Sequence, residues 1–253
     1  MTNRQISSGT DDSVDEHEKL DQKRPKIKLS VIIPTLNASS TLSQTLASLS
    51  TAIEQGIELE IIVVDANSQD DTKTLALKGG AKFITGQKGR GTQLHRGAQI
   101  ALGDWLLFLH ADTVLAAGWD ASFAVFTNHP SNAERGGVFT FMLDTNGLKA
   151  RLLEKAVRFR NNWLGLPYGD QGLIINRQFY NCLGGYKNWP IMEDVDFIRR
   201  IGMSRLVLFD VEAKTSAKRY LERGYFIRIV RNFICLGLYF LKVPPDKIYK
   251  FYV

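Results

Sequence analysis

Apolar positions recur with two periods, and their alternation organises the first half of the chain. Ile27-Lys-Leu-Ser-Val-Ile-Ile33 is rich in β-branched residues and reads as a strand stopped by Pro34. Leu42, Leu46, Leu49 and Ile53 then fall at i, i+4, i+7 and i+11, one face of a single helix, with Asn37 or Ser39 as its cap and Gly56 as its stop. Leu59-Glu-Ile-Ile-Val-Val64 is almost wholly apolar, as a strand covered on both faces should be. A turn and a short helix follow, ending at Lys78 before Gly79 and Gly80. Lys82–Thr85 is a third strand, Thr92–Leu102 a helix closed by Gly103, and Trp105–Leu109 a fourth strand.

Four strand–helix alternations with short links predict an α/β fold with an open, mostly parallel sheet flanked by helices. Ligands of such sheets bind beyond the carboxyl ends of the strands, where Asp65 and Asp112 stand. Past residue 115 the pattern is less regular. Strands are expected at 136–143, 172–176 and 207–211, with a helix at 148–159. Residues 217–242 read as one or two aromatic and arginine-rich helices, broken by Pro244-Pro245.

Charge divides the chain further. The net charge is +6, but residues 1–24 carry six acids and four bases, and residues 214–253 nine bases and two acids. The middle is nearly neutral, which argues against a nucleic-acid partner. The expected organisation is therefore a disordered acidic tail (1–24), a catalytic domain (25–213) and a basic aromatic C-terminal segment (214–253). That last segment either packs on the domain or lies at an anionic membrane surface. Residues 1–24 contain no apolar run of signal-peptide type. Cys182 and Cys235 have no metal-ligand spacing and read as buried free thiols, so a cytoplasmic setting is expected.

Three acidic groups at element ends could carry chemistry. Asp65 either works in a site or stabilises its turn, and Asp70 and Asp71 read as caps. Asp112 ends an apolar strand and suits Mg²⁺ or Mn²⁺, which need one or two protein carboxylates beside substrate phosphates. Glu193 and Asp194, with Asp196, either offset a helix dipole or supply a general base. Lys88-Gly-Arg-Gly91 can bring cations and N–H groups to phosphate, although such loops are common.

Ser30-Val-Ile-Ile-Pro-Thr-Leu-Asn37, Val63-Val-Asp65-Ala-Asn-Ser-Gln-Asp-Asp-Thr72, Leu106-Leu-Phe-Leu-His-Ala-Asp112-Thr113 and Met192-Glu-Asp194 together resemble glycosyltransferase family 2, of GT-A fold. Gly89-Arg-Gly91, Gly169-Asp-Gln171 and Thr215-Ser-Ala-Lys-Arg219 are similar to small bacterial members assigned to carotenoid-acid or arsenosugar glycosylation. The resemblance implies an inverting transferase that uses a nucleotide-sugar, commonly a UDP-sugar, and a hydroxyl or carboxyl acceptor, including a small molecule, lipid or carotenoid acid. It implies that Pro34, Thr35 and Asn37 line the nucleotide pocket and that Asp65 holds the base. Asp112 would bind the metal and diphosphate, and Asp194 or Glu193 would deprotonate the acceptor. Lys88, Arg90 and Arg219 would face the diphosphate, with Asp170, Gln171 and Trp189 on the acceptor side. The chain departs from the family's Asp-x-Asp motif at its first position, which is His110. A nucleotidyltransferase would show a glycine-rich signature where Pro34-Thr-Leu-Asn37 stands; a non-catalytic anionic-ligand module would rest on the basic C-terminus alone.

Overall fold

The structure, a computed structural model, describes residues 27–218 and 224–252. The acidic segment 1–24 and Arg219 lie outside the described residues.

One eight-stranded sheet runs in the order β3-β2-β1-β4-β7-β6-β8-β5. Its strands are β1 (Lys28–Thr35), β2 (Glu58–Asp65), β3 (Lys82–Thr85), β4 (Trp105–Phe108), β5 (Thr113–Leu115), β6 (Gly136–Leu143), β7 (Leu173–Asn176) and β8 (Leu206–Thr215). Pairings β1·β2, β1·β4, β2·β3 and β6·β8 are parallel; β4·β7, β6·β7 and β5·β8 are antiparallel. The parallel half is the one legible from the alternating pattern. β8 continues through Thr215, past the expected domain boundary at 213, and pairs with both Leu143 and Thr113.

β1 runs through Pro34 rather than stopping before it. Alternate residues bond opposite neighbours: Ile32 O accepts from Leu109 N–H, and Thr35 O from Ala66 N–H. Pro34 therefore faces the β4 side, beyond the last pair Ile32↔Phe108, where no ladder needs its missing N–H.

The single helix expected over Leu42 to Ile53 is two, α1 (Leu42–Ala47) and α2 (Thr51–Glu54). Ser48 and Ser50 hydroxyls donate back to Thr45 O and Ala47 O, a competition that weakens helices. Trp119 Nε1–H also takes Ser48 O at 2.8 Å. Leu42, Leu46 and Leu49 remain buried, but Ile53 is 65% exposed. Neither Asn37 nor Ser39 caps α1, whose N-cap is Thr41.

Two layers cover the sheet. On one face Leu29, Val31 and Ile33 pack with α1, α3 (Thr72–Lys78) and α5 (Trp119–Thr127). On the other, Ile32, Val64, Leu106 and Phe108 pack with α4 (Arg90–Ile100), α7 (Arg177–Cys182) and α8 (Glu193–Ile201). Cys235 and Leu236 of α9 (Tyr225–Phe240) and Ile248 of α10 (Pro245–Tyr252) join this second layer. Pro245 thus opens a helix, as its fixed φ allows. α6 (Leu148–Leu164) closes a smaller cluster with Phe141, Leu143, Tyr225 and Ile229. Cys182 is exposed and Cys235 buried, so the burial expected of both thiols holds only for the second. Among the described residues no helix is long and apolar enough to cross a membrane.

Candidate active site

Two clefts open at the carboxyl ends of β1 and β4, the position that an open α/β sheet reserves for ligands. The first, of about 500 Å³, is lined by Pro34, Thr35, Asn37, Lys88 and Gln93 among others. The second, of about 220 Å³, is lined by Tyr168, Asp170 and Asp194, with walls from α6 and α9. Arg90, His110, Asp112, Pro190, Ser216 and Tyr249 line both. The clefts therefore meet at Asp112.

A polar lattice builds the first cleft. Asp65 is 2% exposed and does not line it. Its Oδ1 accepts from Thr35 Oγ1 at 2.8 Å and from Ser68 Oγ, and its Oδ2 from Ser68 N–H at 2.7 Å. Asn37, at φ +52°, donates its N–H to Ser68 Oγ and accepts from Gln69 N–H. Asp71 is the N-cap of α3 but makes no side-chain cap bond; Asp70, one residue earlier, accepts from Ser39 N–H and from the N–H and hydroxyl of Thr72, the first residue of α3. Desolvation opposes the Asp70 charge, yet these hydrogen bonds hold its carboxyl well below the usual range. The loops after β1 and β2 are thus locked together. Buried Gln93 adds α4, donating to Thr35 O and Val64 O at 2.9 and 2.7 Å. A lone Gln on the inner face of a helix gave no such signal in the sequence.

Arg90 and Gly91 belong to the first turn of α4, not to a loop. Gly91 N–H donates to Trp189 O at 3.1 Å. A Cβ at Gly91 would stand 2.2 Å from Lys187 O and 2.8 Å from Trp189 O, so only glycine permits this approach. That contact brings Arg90 against Glu193, with Nε 3.7 Å from Oε1. Glu193 is buried, lines neither cleft, and no hydrogen bond reaches its carboxylate oxygens among the described residues. Burial, partly offset by Arg90, pushes its carboxyl up to about 7. Burial works against the Arg90 charge, but Glu193, Asp194 and Asp112 outweigh it and hold the guanidinium above its ordinary value.

Asp194, one residue on, faces the second cleft. Its Oδ2 accepts from Gly169 N–H at 2.9 Å and its Oδ1 from Val195 N–H at 2.7 Å. Gly169 packs so closely that a Cβ there would lie 2.9 Å from His110 Nε2 and 3.5 Å from Asp194 Oδ2. Asp196 takes no part: it pairs with Lys187 and Arg200.

Asp170 also lines the second cleft, and its buried Oδ1 has no hydrogen-bond partner among the described residues. Burial raises its carboxyl to about 6, with Arg160 opposing and Asp194 and Asp112 adding. Arg160 stacks 3.5 Å from the Tyr168 ring centroid. Gln171 and Trp189 are not in either lining. Gln171 is fully buried, donating to Phe139 O and accepting from Asn161, so it ties α6 to β6. Trp189 takes the Lys187 ammonium over its ring and meets Tyr239 edge-on. Sequence reasoning missed Ser216 and Tyr249. Ser216 N–H donates to Asp112 O at 3.0 Å, a neighbour set by the β5·β8 pairing across a hundred residues.

Residues 30–156 match the family model described as glycosyl transferase family 2. The chain belongs to glycosyl transferase family 2. Among relatives of this family-2 chain, the PGL/p-HBAD biosynthesis glycosyltransferase of Mycobacterium tuberculosis is 28% identical over 219 residues, covering 69% of the chain and 84% of that protein. Glucosyl-3-phosphoglycerate synthase of the same organism is 30% identical over 95 residues, and there the chain spans only 29% of the relative's length. S. aureus TarS 1-349 is similar in structure, with TM-score 0.56, 17% identity and coverage of 84% of this chain and 65% of that one. The same synthase, solved with Mn²⁺ and UDP-glucose, gives TM-score 0.52 and 19% identity, covering 83% and 75%. These likenesses establish the GT-A fold.

For a divalent cation, the donor chemistry on this chain is sparse. Among the described residues no group of three His, Cys, Asp or Glu side chains could hold one. Asp112 and His110, both lining the two clefts, fit a cation that draws its remaining ligands from a diphosphate and water.

Proposed function

We propose that this chain transfers a sugar from a UDP-sugar in the first cleft to an acceptor hydroxyl or carboxylate in the second. One observation carries the reading: the two clefts share the wall containing Arg90, His110 and Asp112. A donor and an acceptor seated in them would meet at one point. The UDP-glucose bound to the related synthase supports the choice of donor.

On this reading Pro34, Thr35 and Asn37 contact the nucleoside, and Asp65 acts by holding their loop rather than by facing the cleft. Lys88 and Arg90 face the leaving diphosphate. Asp112 and His110 would hold Mg²⁺ or Mn²⁺, which when bound supplies positive charge beside the diphosphate. The acceptor oxygen attacks the anomeric carbon while the bond to the β-phosphate oxygen breaks, and that electron pair leaves with UDP. The acceptor proton passes to Asp194. Two backbone N–H groups orient the Asp194 carboxylate; Glu193, turned away beneath Arg90, positions that cation instead. Asp170 lines the acceptor side, in the second cleft.

The second cleft joins this polar floor to apolar walls from Leu153, Val157, Ile229 and Phe233. That combination favours an amphiphilic acceptor, a lipid or a carotenoid-type acid, in the cytoplasmic setting expected from the free thiols. The test is a nucleotide-sugar panel scored by UDP release with amphiphilic alcohols and acids as acceptors. Release from a UDP-sugar that depends on the acceptor is expected. Release from no UDP-sugar with any acceptor would refute the reading.

A further inference from the structure

α6 and α9 both wall the second cleft, and both leave apolar side chains in solvent. On α6, Leu148, Leu152, Phe159 and Trp163 are 77, 56, 60 and 73% exposed. Their spacing of 4, 7 and 4 residues keeps them on one stripe, and the last two rings stack at 5.4 Å. Along α9, Ile227, Phe233, Ile234 and Phe240 are 65, 62, 44 and 50% exposed, and Leu241 beyond it is 77% exposed. Large apolar side chains cost free energy in water, so a patch of this kind marks a contact surface.

Charge identifies what it contacts. Residues 148–164 carry five bases and one acid, and residues 225–252 the same. Together they hold a net +8, whereas the whole chain has +6, so all the rest is net negative. Helices with an exposed apolar face, aromatic residues and flanking Lys and Arg seat in the headgroup region of an anionic bilayer. We propose that the exposed faces of α6 and α9 are a membrane-docking surface for an anionic lipid bilayer, with the mouth of the second cleft held at the lipid. α6, which the sequence marked only as a helix, is as large a part of it as the C-terminal segment. An acceptor with its tail in the bilayer would then enter between the two helices; only this last clause rests on the sugar-transfer reading.

The experiment is flotation of the full chain with phosphatidylglycerol-containing vesicles and with neutral phosphatidylcholine vesicles. It compares wild type with the double substitution Leu152→Ser and Trp163→Ser, neither of which lines a cleft. Wild type is expected to float with the anionic vesicles and to bind them at least about ten-fold better than neutral ones, as several surface cations imply. The double variant is expected to lose most of that binding. Unchanged UDP titration in the variant shows that it is folded, and failure of UDP to bind wild type would sink the transferase reading alone. No flotation of wild type on anionic vesicles overturns the docking surface. So does equal flotation of the folded variant, or a wild-type dimer in light scattering that the variant abolishes, which would assign the face to a second copy.

Discussion

Replacing Glu193 by Gln isolates the electrostatic cost on which the Arg90 geometry rests. The carboxyl is pushed from its ordinary 4.5 to about 7, so the folded state binds a proton more tightly than the unfolded one. Stability from this site is complete below pH 4.5 and falls as pH rises through 7. At 1.36 kcal/mol for each pH unit, that displacement amounts to about 3 kcal/mol. Gln has no proton to lose, so this part of the pH dependence vanishes in the variant. The new amide adds a cost of its own, but that cost is independent of pH. The quantity to measure is therefore the variant-minus-wild-type stability at pH 8 less the same difference at pH 5, from urea unfolding followed by tryptophan fluorescence. Part of the loss already lies below pH 5, so we expect about 2–3 kcal/mol in favour of the variant at the higher pH, or roughly 6 °C in Tm for a chain of this size. Asp170, also raised, titrates in both proteins and cancels. A difference that is the same at both pH values would refute the argument. Donor affinity should fall in the variant at pH 8, because Arg90 loses the charge that aligns it.

Other consequences follow from the same geometry. Gly91→Ala puts a methyl 2.2 Å from Lys187 O, and α4 must retreat by about 1 Å to an ordinary contact; a misplacement of that size costs on the order of 100-fold in rate, measurable as kcat/KM beside a modest loss of Tm. Asp194→Asn should abolish transfer to an alcohol but only weaken transfer to a carboxylate, which is already ionised at neutral pH; equal losses with both acceptors would rule out Asp194 as the base. Asp65→Ala strands the Thr35 and Ser68 donors, and should cost about 2–4 kcal/mol in unfolding experiments while lowering UDP affinity.

How much of this could be read from the sequence depends on the range of the contacts. The strand that ends in Asp65 and the strand before Asp112 were visible because β1 to β4 alternate with helices locally, although β4 stops at Phe108 and Asp112 stands in the turn before β5. The strands at 136–143, 172–176 and 207–211 were also expected and stand as β6, β7 and β8. β5 and the antiparallel pairing were not, because these strands pair across long separations and strand direction leaves no local trace. Helix α1 was over-extended because the periodicity of Leu42 to Ile53 carries no record that Trp119 would claim Ser48 O. The acidic pair 193–194 was found, but its division of labour was not. Successive helical residues point about 100° apart, so one carboxylate reaches the cleft while its neighbour is buried, and which is which depends on the left-handed turn at Met192, φ +64°. Gly91 looked like half of a phosphate loop; its close contact is with the carbonyls of a segment a hundred residues away.

The most direct measurement is calorimetric titration of UDP with and without Mn²⁺ against wild type and Asp112→Asn. The account predicts binding to wild type that Mn²⁺ strengthens and that Asp112→Asn makes insensitive to the metal, because Asp112 stands where the two clefts meet. UDP binding that is absent from folded wild type, or equally strengthened by Mn²⁺ in both proteins, would contradict it.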